Sequence, residues 1–154
     1  MRKLFTISVK VDKPIVVGQD EINGRRQIIP IRSGILKGFD IDGNSIHGEV
    51  LPGGVDNQVI RPNGVCEVCA RYAVRLDSGE GFYIDNNGIR TVPDEYVKNV
   101  LNGEYINPDL YYFVTTPTFE TYTPNLKWME KHMFVCKGRR EPDAVIINYY
   151  VVEG

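Results

Sequence analysis

From Cys66 to Leu76 the chain alternates in character, with Ala73 the one small apolar residue on the polar side. Val68, Ala70, Tyr72, Val74 and Leu76 fall on one side of an extended backbone, and Glu67, Cys69, Arg71 and Arg75 on the other. Successive side chains of a strand point to opposite faces, so a period of two marks a strand half-buried in a sheet. The pattern recurs in shorter form. Leu4 to Val11 sets Phe5, Ile7, Val9 and Val11 against Thr6, Ser8 and Lys10. Further β-branched and aromatic runs cover 27–31, 46–51, 81–84, 110–116, 133–137 and 144–152, and Gly, Asn, Asp and Pro separate them. Gly43-Asn44, Pro52-Gly53-Gly54 and Asp77-Ser78-Gly79 are the clearest turn signals. Short strands at this spacing define an all-β, mainly antiparallel chain. An open antiparallel sheet leaves unpaired edges, and closure removes them completely. We therefore expect a closed or nearly closed barrel of about eight strands, a size whose interior holds side chains or one small ligand; a sandwich is the alternative.

Two stretches break the strand pattern. Pro93 to Asn102 has a proline near its start, Asp94 and Glu95 in its first turn and Gly103 just beyond its end. Its apolar positions Tyr96, Val97, Val100 and Leu101 form one stripe, which predicts a helix packed outside the barrel. Thr123-Pro124 opens a second, shorter helical segment running to about Lys131. The run 144–152 is apolar on both sides apart from Asn148. A barrel wall has one inward face, so its outward side calls for a helix or a second subunit, and we expect a homo-oligomer.

At 154 residues the chain fits one domain, residues 1–154, with enough length to bury a core without metal or disulfide staples. The net charge is −2 and the charges are interspersed, which argues against a nucleic-acid partner. The N-terminus turns polar at once, and no apolar run approaches the roughly 20 residues of a membrane helix. Three cysteines, an odd and low number, suit a reducing compartment. A cytoplasmic protein that touches no membrane is expected.

The candidate chemistry is sparse. Cys66-x-x-Cys69 has a metal-like spacing, but residues i and i+3 of a strand face opposite ways and cannot share an ion. His47 and His132 are the only histidines, with no nucleophile elbow around them, and surface or satisfied polar placement is the expectation for both. Pro52-Gly53-Gly54 reads as a tight turn rather than a phosphate loop, since no helix or Lys-Ser/Thr follows. Behind it Asp56, Gln58 and Arg61 form either a rim or a site. Arg71 beside Tyr72 in mid-strand needs solvent or a carboxylate. Glu120, among aromatic residues, is either a proton-transfer group or half of a structural ion pair.

One further set of residues carries a resemblance. Gly24-Arg25-Arg26 with Pro30, Ser33-Gly34 and Gly38 leads into 51–58, then Arg61 and Gly64, Arg71-Tyr72, Asn87-Gly88-Ile89-Arg90, Tyr112-Phe113, Thr116-Pro117, Phe119-Glu120 and Trp128. Over nearly its whole length the chain resembles the bacterial and fungal domain-of-unknown-function family numbered three-two-three-seven, whose bacterial members are also filed as an uncharacterised protein family. The resemblance implies a small β-barrel similar in style to allene oxide cyclase, and no established activity. The chain departs from the family pattern at Val114, where an arginine is frequent, and at Met129-Glu130, where Leu-Asn is frequent.

The function expected from these features is binding of a small, partly apolar organic ligand, with cofactor-free isomerase, cyclase or lyase chemistry by acid–base catalysis. Asp56, Arg71, Tyr72 and Glu120 are the candidate catalytic residues, and Gln58, Arg61 and Trp128 the candidate ligand contacts. Asp56, Arg71 and Glu120 are expected to converge on one pocket. No metal or cofactor is called for. A non-catalytic binding or structural protein is the second reading, and a flavin-binding barrel the third.

Overall fold

The computed structural model describes residues 1–154. Ten strands follow in chain order: β1 (Arg2–Val11), β2 (Ile15–Asp20), β3 (Gly24–Phe39), β4 (Ser45–Val50), β5 (Gly54–Ile60), β6 (Cys66–Leu76), β7 (Gly81–Thr91), β8 (Tyr112–Thr121), β9 (Met133–Arg140) and β10 (Val145–Val152). All neighbours pair antiparallel. The wall runs β1-β10-β9-β8-β7-β6, then β4 and β5, then β3, and β3 pairs with β1 to close the ring.

The closed barrel has eight wall positions because β4 and β5 are two halves of one bent strand. β4 lies against Gly34–Phe39 and β5 against Arg25–Ile31, while both face β6 on their other side. The Pro52-Gly53-Gly54 segment is thus the expected tight turn, set as a break inside one strand. Gly53 takes φ 106°, a backbone that favours glycine. A Cβ on Gly54 would lie 2.4 Å from that of Tyr72, so the absence of a side chain lets β5 close onto β6. In the same way β1 and β2 follow one another along β3; β2 pairs with β3 alone and is exposed throughout, while the start of β3 stays in the wall against β5.

The inward rows pack the core: Phe5, Ile7, Leu36, Val74, Ile84, Phe134, Tyr149 and Val151 are almost completely buried. On β6 the inward and outward sets match the sequence alternation, and Cys66 is buried inside while Cys69 faces out. The predicted helix is shorter than its stripe. A 3₁₀ turn, Asp94–Tyr96, leads into α1 (Val97–Leu101), and Gly103 at φ 74° follows. It sits at the rim, where Val100 is buried and the Leu101 carbonyl accepts from Arg25 Nη1 at 3.0 Å. The second helical segment, Pro124–Lys131, is 3₁₀ throughout and packs on β8. Neither covers β10, whose neighbours are β1 and β9. Its outward Ile146 and Tyr150 are half-buried and Val152 is exposed. No helix is long and apolar enough to cross a membrane.

Candidate functional site

The barrel interior is divided along its axis. Toward one end aromatic rings fill it: Phe5 stacks on Tyr149 at 4.6 Å, and Phe119 meets Phe134 edge-on at 5.0 Å. Toward the other end the inward rows turn polar. β5 contributes Asp56 and Gln58, β3 Gln27, β7 Asn86 and Arg90, β8 Thr115, and β9 Arg140. All of these but Gln27, which lies on the cleft side, surround a small lumen of about 50 Å³. Above it lies a cleft of about 390 Å³ between the rim, α1 and the loop after it. Ile29, Gln58, Arg90 and Arg140 line both spaces, so the cleft opens into the lumen. The 50 Å³ accommodates only a few heavy atoms, whereas the cleft falls within the roughly 300–1,000 Å³ of small-molecule sites. Gly138 of β9 makes part of the room, since a Cβ there would lie 2.7 Å from the Phe113 ring.

Asp56 is held by a run of hydrogen bonds with a fixed direction. Arg25 Nε donates to Gln27 Oε1 (3.2 Å), Gln27 Nε2 to Gln58 Oε1 (2.9 Å), and Gln58 Nε2 to Asp56 Oδ2 (2.8 Å). A guanidinium can only donate, so each amide must present its oxygen toward Arg25 and its nitrogen toward the aspartate. The Cys69 backbone N–H donates to Asp56 Oδ1 at 3.0 Å. Asp56 keeps some access to solvent through the lumen, yet it is enclosed closely enough that burial raises its pKa. The two hydrogen bonds and the charges of Arg90 and Arg140 pull the other way without overcoming burial. A carboxyl oriented on both oxygens, facing a cavity and with its pKa raised by burial, can take up and release a proton.

The other polar groups of the lumen remain under-used. Asn86 Oδ1 and Thr115 Oγ1 are buried without a hydrogen-bond partner, although the Cys136 thiol stands beside both residues. Burial pushes that thiol up to about 12, so it stays neutral. Tyr72 lines the lumen with its hydroxyl 2.9 Å from that of Tyr149, and burial pushes both phenols above their ordinary value. Burial and the like charge of Arg90 lower the pKa of Arg140.

The residues singled out in the sequence therefore divide. Asp56, Gln58 and Tyr72 meet in the lumen. Arg71 does not join them: it faces outward, 60% exposed, 3.5 Å from Asp85. Glu120 is also outward and accepts from the hydroxyl of Tyr122, exposed just past the end of β8. The expected convergence of Asp56, Arg71 and Glu120 fails because Arg71 and Glu120 sit at outward positions of β6 and β8. Arg61 pairs with Glu67 at 2.5 Å outside the barrel, and Trp128 packs on Phe134 at the aromatic end. Of the positions that depart from the family pattern, Val114 faces outward. Glu130 binds the Thr121 backbone N–H at 2.7 Å and its hydroxyl, pinning the 3₁₀ segment to β8. Sequence reading missed Arg90, Arg140, Gln27, Asn86 and Thr115 as site residues. The available signal was parity, since Phe82, Ile84, Asn86, Gly88 and Arg90 continue one inward row through what reads as an Asn-Asn-Gly turn.

Residues 1–152 match the family model described as "Protein of unknown function (DUF3237)", and the chain belongs to that family. It is 55% identical over 150 residues to a UPF0311 protein of Clostridium acetobutylicum, covering 97% of this chain and 92% of the relative. A crystal structure of a protein with unknown function from the same species superposes with a TM-score of 0.92 at 53% identity, covering 99% of this chain and 95% of the other. A beta-barrel like protein from Acinetobacter baumannii gives a TM-score of 0.82 at 29% identity, covering 99% and 94%.

Proposed function

We propose that this member of the DUF3237 family binds a small, partly apolar organic molecule with its reactive end in the barrel lumen, and moves a proton on it without a cofactor. The observation that carries this reading is Asp56, fixed on both oxygens, with its pKa raised and its exit toward a cavity shared with two guanidiniums. As a base Asp56 takes a proton from carbon next to a carbonyl. As an acid it returns that proton to a different carbon or to a leaving group, which gives isomerisation, cyclisation or elimination. Charge that develops on the carbonyl oxygen faces Arg90 and Arg140, with no water needed to solvate it. In this reading Arg90 and Arg140 take the anion-holding role expected of Arg71, while Tyr72 remains a wall residue whose hydroxyl is shared with Tyr149.

The test needs no knowledge of the natural substrate. The protein is incubated in D₂O with a panel of small enolisable ketones and 2-oxo acids, and deuterium uptake at carbon is read by NMR. Uptake above the buffer rate that falls about 10²–10⁴-fold in Asp56→Asn is the expected result. Uptake that is absent, or that persists in the variant, overturns the proposal.

A further inference from the structure

Arg139 and Arg140 are adjacent in sequence and opposite in circumstance. Arg139 points outward and takes both nearby carboxylates, Asp109 at 2.7 Å and Glu141 at 3.3 Å. Arg140 points inward and has neither an ion-pair nor a hydrogen-bond partner for its guanidinium. Arg90, on the inward row of β7, is the same. Its guanidinium carbon lies 5.5 Å over the ring of Tyr111, and no carboxylate is within salt-bridge reach. The Tyr111 hydroxyl in turn accepts from the Arg140 backbone N–H at 2.8 Å, so one tyrosine contacts both residues. β8 separates β7 from β9, so the two side chains reach toward each other across one strand. Asp56 lies across the lumen, already bonded to Gln58 and the Cys69 N–H. Two half-buried guanidiniums that repel one another and have no counter-ion are costly to hold. Arg25, at the same rim, is by contrast satisfied through Gln27 and the Leu101 carbonyl.

We infer that Arg90 and Arg140 form a carboxylate-binding subsite, and that the molecule handled by this barrel is a small organic acid with an aromatic or otherwise apolar body. This deepens the acid–base reading and rests on it for the position of the reacting carbon. A planar carboxylate matches the guanidinium fork and brings one negative charge. A phosphomonoester brings about two, and next to an ionised Asp56 it would oppose formation of the base. The pair lines both cavities, so a carboxylate there sets the adjoining carbons in the lumen near Asp56. The rest of the molecule lies in the cleft against Val92, Ile106 and Tyr111.

Phenylpyruvate, its methyl ester and phenyl phosphate serve as probes, with binding measured by calorimetry on the whole chain. We expect phenylpyruvate to bind, and the methyl ester to bind at least about tenfold more weakly. Arg90→Met and Arg140→Met should each weaken phenylpyruvate by a similar factor while leaving the ester unchanged. Asp56→Asn should bind the acid as tightly as the parent or more so. Equal affinity for acid and ester, preference for phenyl phosphate, no binding of the acid, or indifference to both arginine changes overturns the subsite. Should either variant fail to fold, the acid–ester comparison on the parent protein decides. The two proposals fail differently. If the acid binds but no carbon exchanges deuterium, the acid–base reading falls and the subsite stands. If neutral ketones exchange but acid and ester bind alike, the reverse holds.

Discussion

The two ends of the barrel are built from the same inward rows of the same strands, yet they solve opposite problems. At the closed end Phe5, Phe119, Phe134 and Tyr149 fill the interior ring against ring, and Trp128, Leu126 and Met129 of the 3₁₀ segment pack beneath them. At the open end the rows carry Asp56, Asn86, Arg90, Thr115 and Arg140, and two buried polar atoms have no partner. Apolar burial and dispersion hold the first end. The second keeps groups whose desolvation is not recovered by the protein's own contacts. Stability is therefore concentrated at one end, and unpaired polar groups at the other.

The largest effect that follows is at the closed end. Phe134 touches Phe5, Phe119 and Trp128 and is 1% exposed. Phe134→Ala should cost about 3–5 kcal/mol in a urea melt, because the interlocked rings cannot collapse into the hole. At the open end Arg140→Met should leave the melting temperature unchanged or raise it, since it relieves a repulsion and unpairs no carboxylate. A loss comparable to that of Phe134→Ala would abolish the distinction between the ends.

Asp56 sharpens the comparison through pH. Its pKa is raised in the folded chain, so the native state binds more protons than the unfolded one between the ordinary carboxylate value and the raised one. Stability from this group is full below that window and declines as pH rises through it. In Asp56→Asn that decline should vanish, although the amide meets a donor at Gln58 Nε2 and the variant starts from a lower baseline. Subtracting the variant's urea-melt stability from the parent's at each pH should give a difference that falls with rising pH. A difference that is flat or rises would mean that burial does not dominate at Asp56. Glu130, at the closed end, has the opposite sign. Bonds from Thr121 and Lys127 hold its carboxyl at about 2, so its contribution is present at neutral pH and fades as acid approaches that value. Glu130→Gln should therefore lower the melting temperature slightly at pH 7 and converge with the parent in strong acid.

How much of this was legible in the sequence depended on whether one row could be followed without interruption. β6 has no glycine and alternates throughout, so its faces, and with them the inward position of Tyr72 and the opposed Cys66 and Cys69, read correctly. β7 and β9 carry Gly88 and Gly138 at inward positions, where a Cβ would strike the neighbouring strand or the Phe113 ring. Those glycines look like strand ends in one dimension, and Arg90 and Arg140 lie just beyond them. Asp56 was legible because it follows Gly54 at a spacing of two. Gln27, which donates to the Gln58 that holds Asp56, was not, because pairing of β3 with β5 is a property of the closed ring. β2 was not legible either, since all six of its residues are exposed and it lacks the inward apolar row by which the other strands are recognised.

The smallest expected effects fall on the two charged residues that the sequence made most prominent. An arginine in mid-strand and a glutamate among aromatics suggest a buried ion pair, for which breaking one partner costs about 3–5 kcal/mol. Arg71 and Glu120 occupy outward positions on β6 and β8. Arg71 reaches only Asp85, at 3.5 Å with most of its side chain in solvent, and exposed pairs of this kind contribute about 0–1 kcal/mol. Glu120 is exposed and bonded to a tyrosine that is itself exposed. Arg71→Met and Glu120→Gln should each shift stability by no more than about 0.5 kcal/mol, as surface substitutions away from packed features do. Deuterium exchange by the parent protein on any carbonyl probe should survive both changes. If either variant lost that exchange while keeping its melting temperature, chemistry would have to be sought on the outside of the wall, and the open end would lose its claim to be the site.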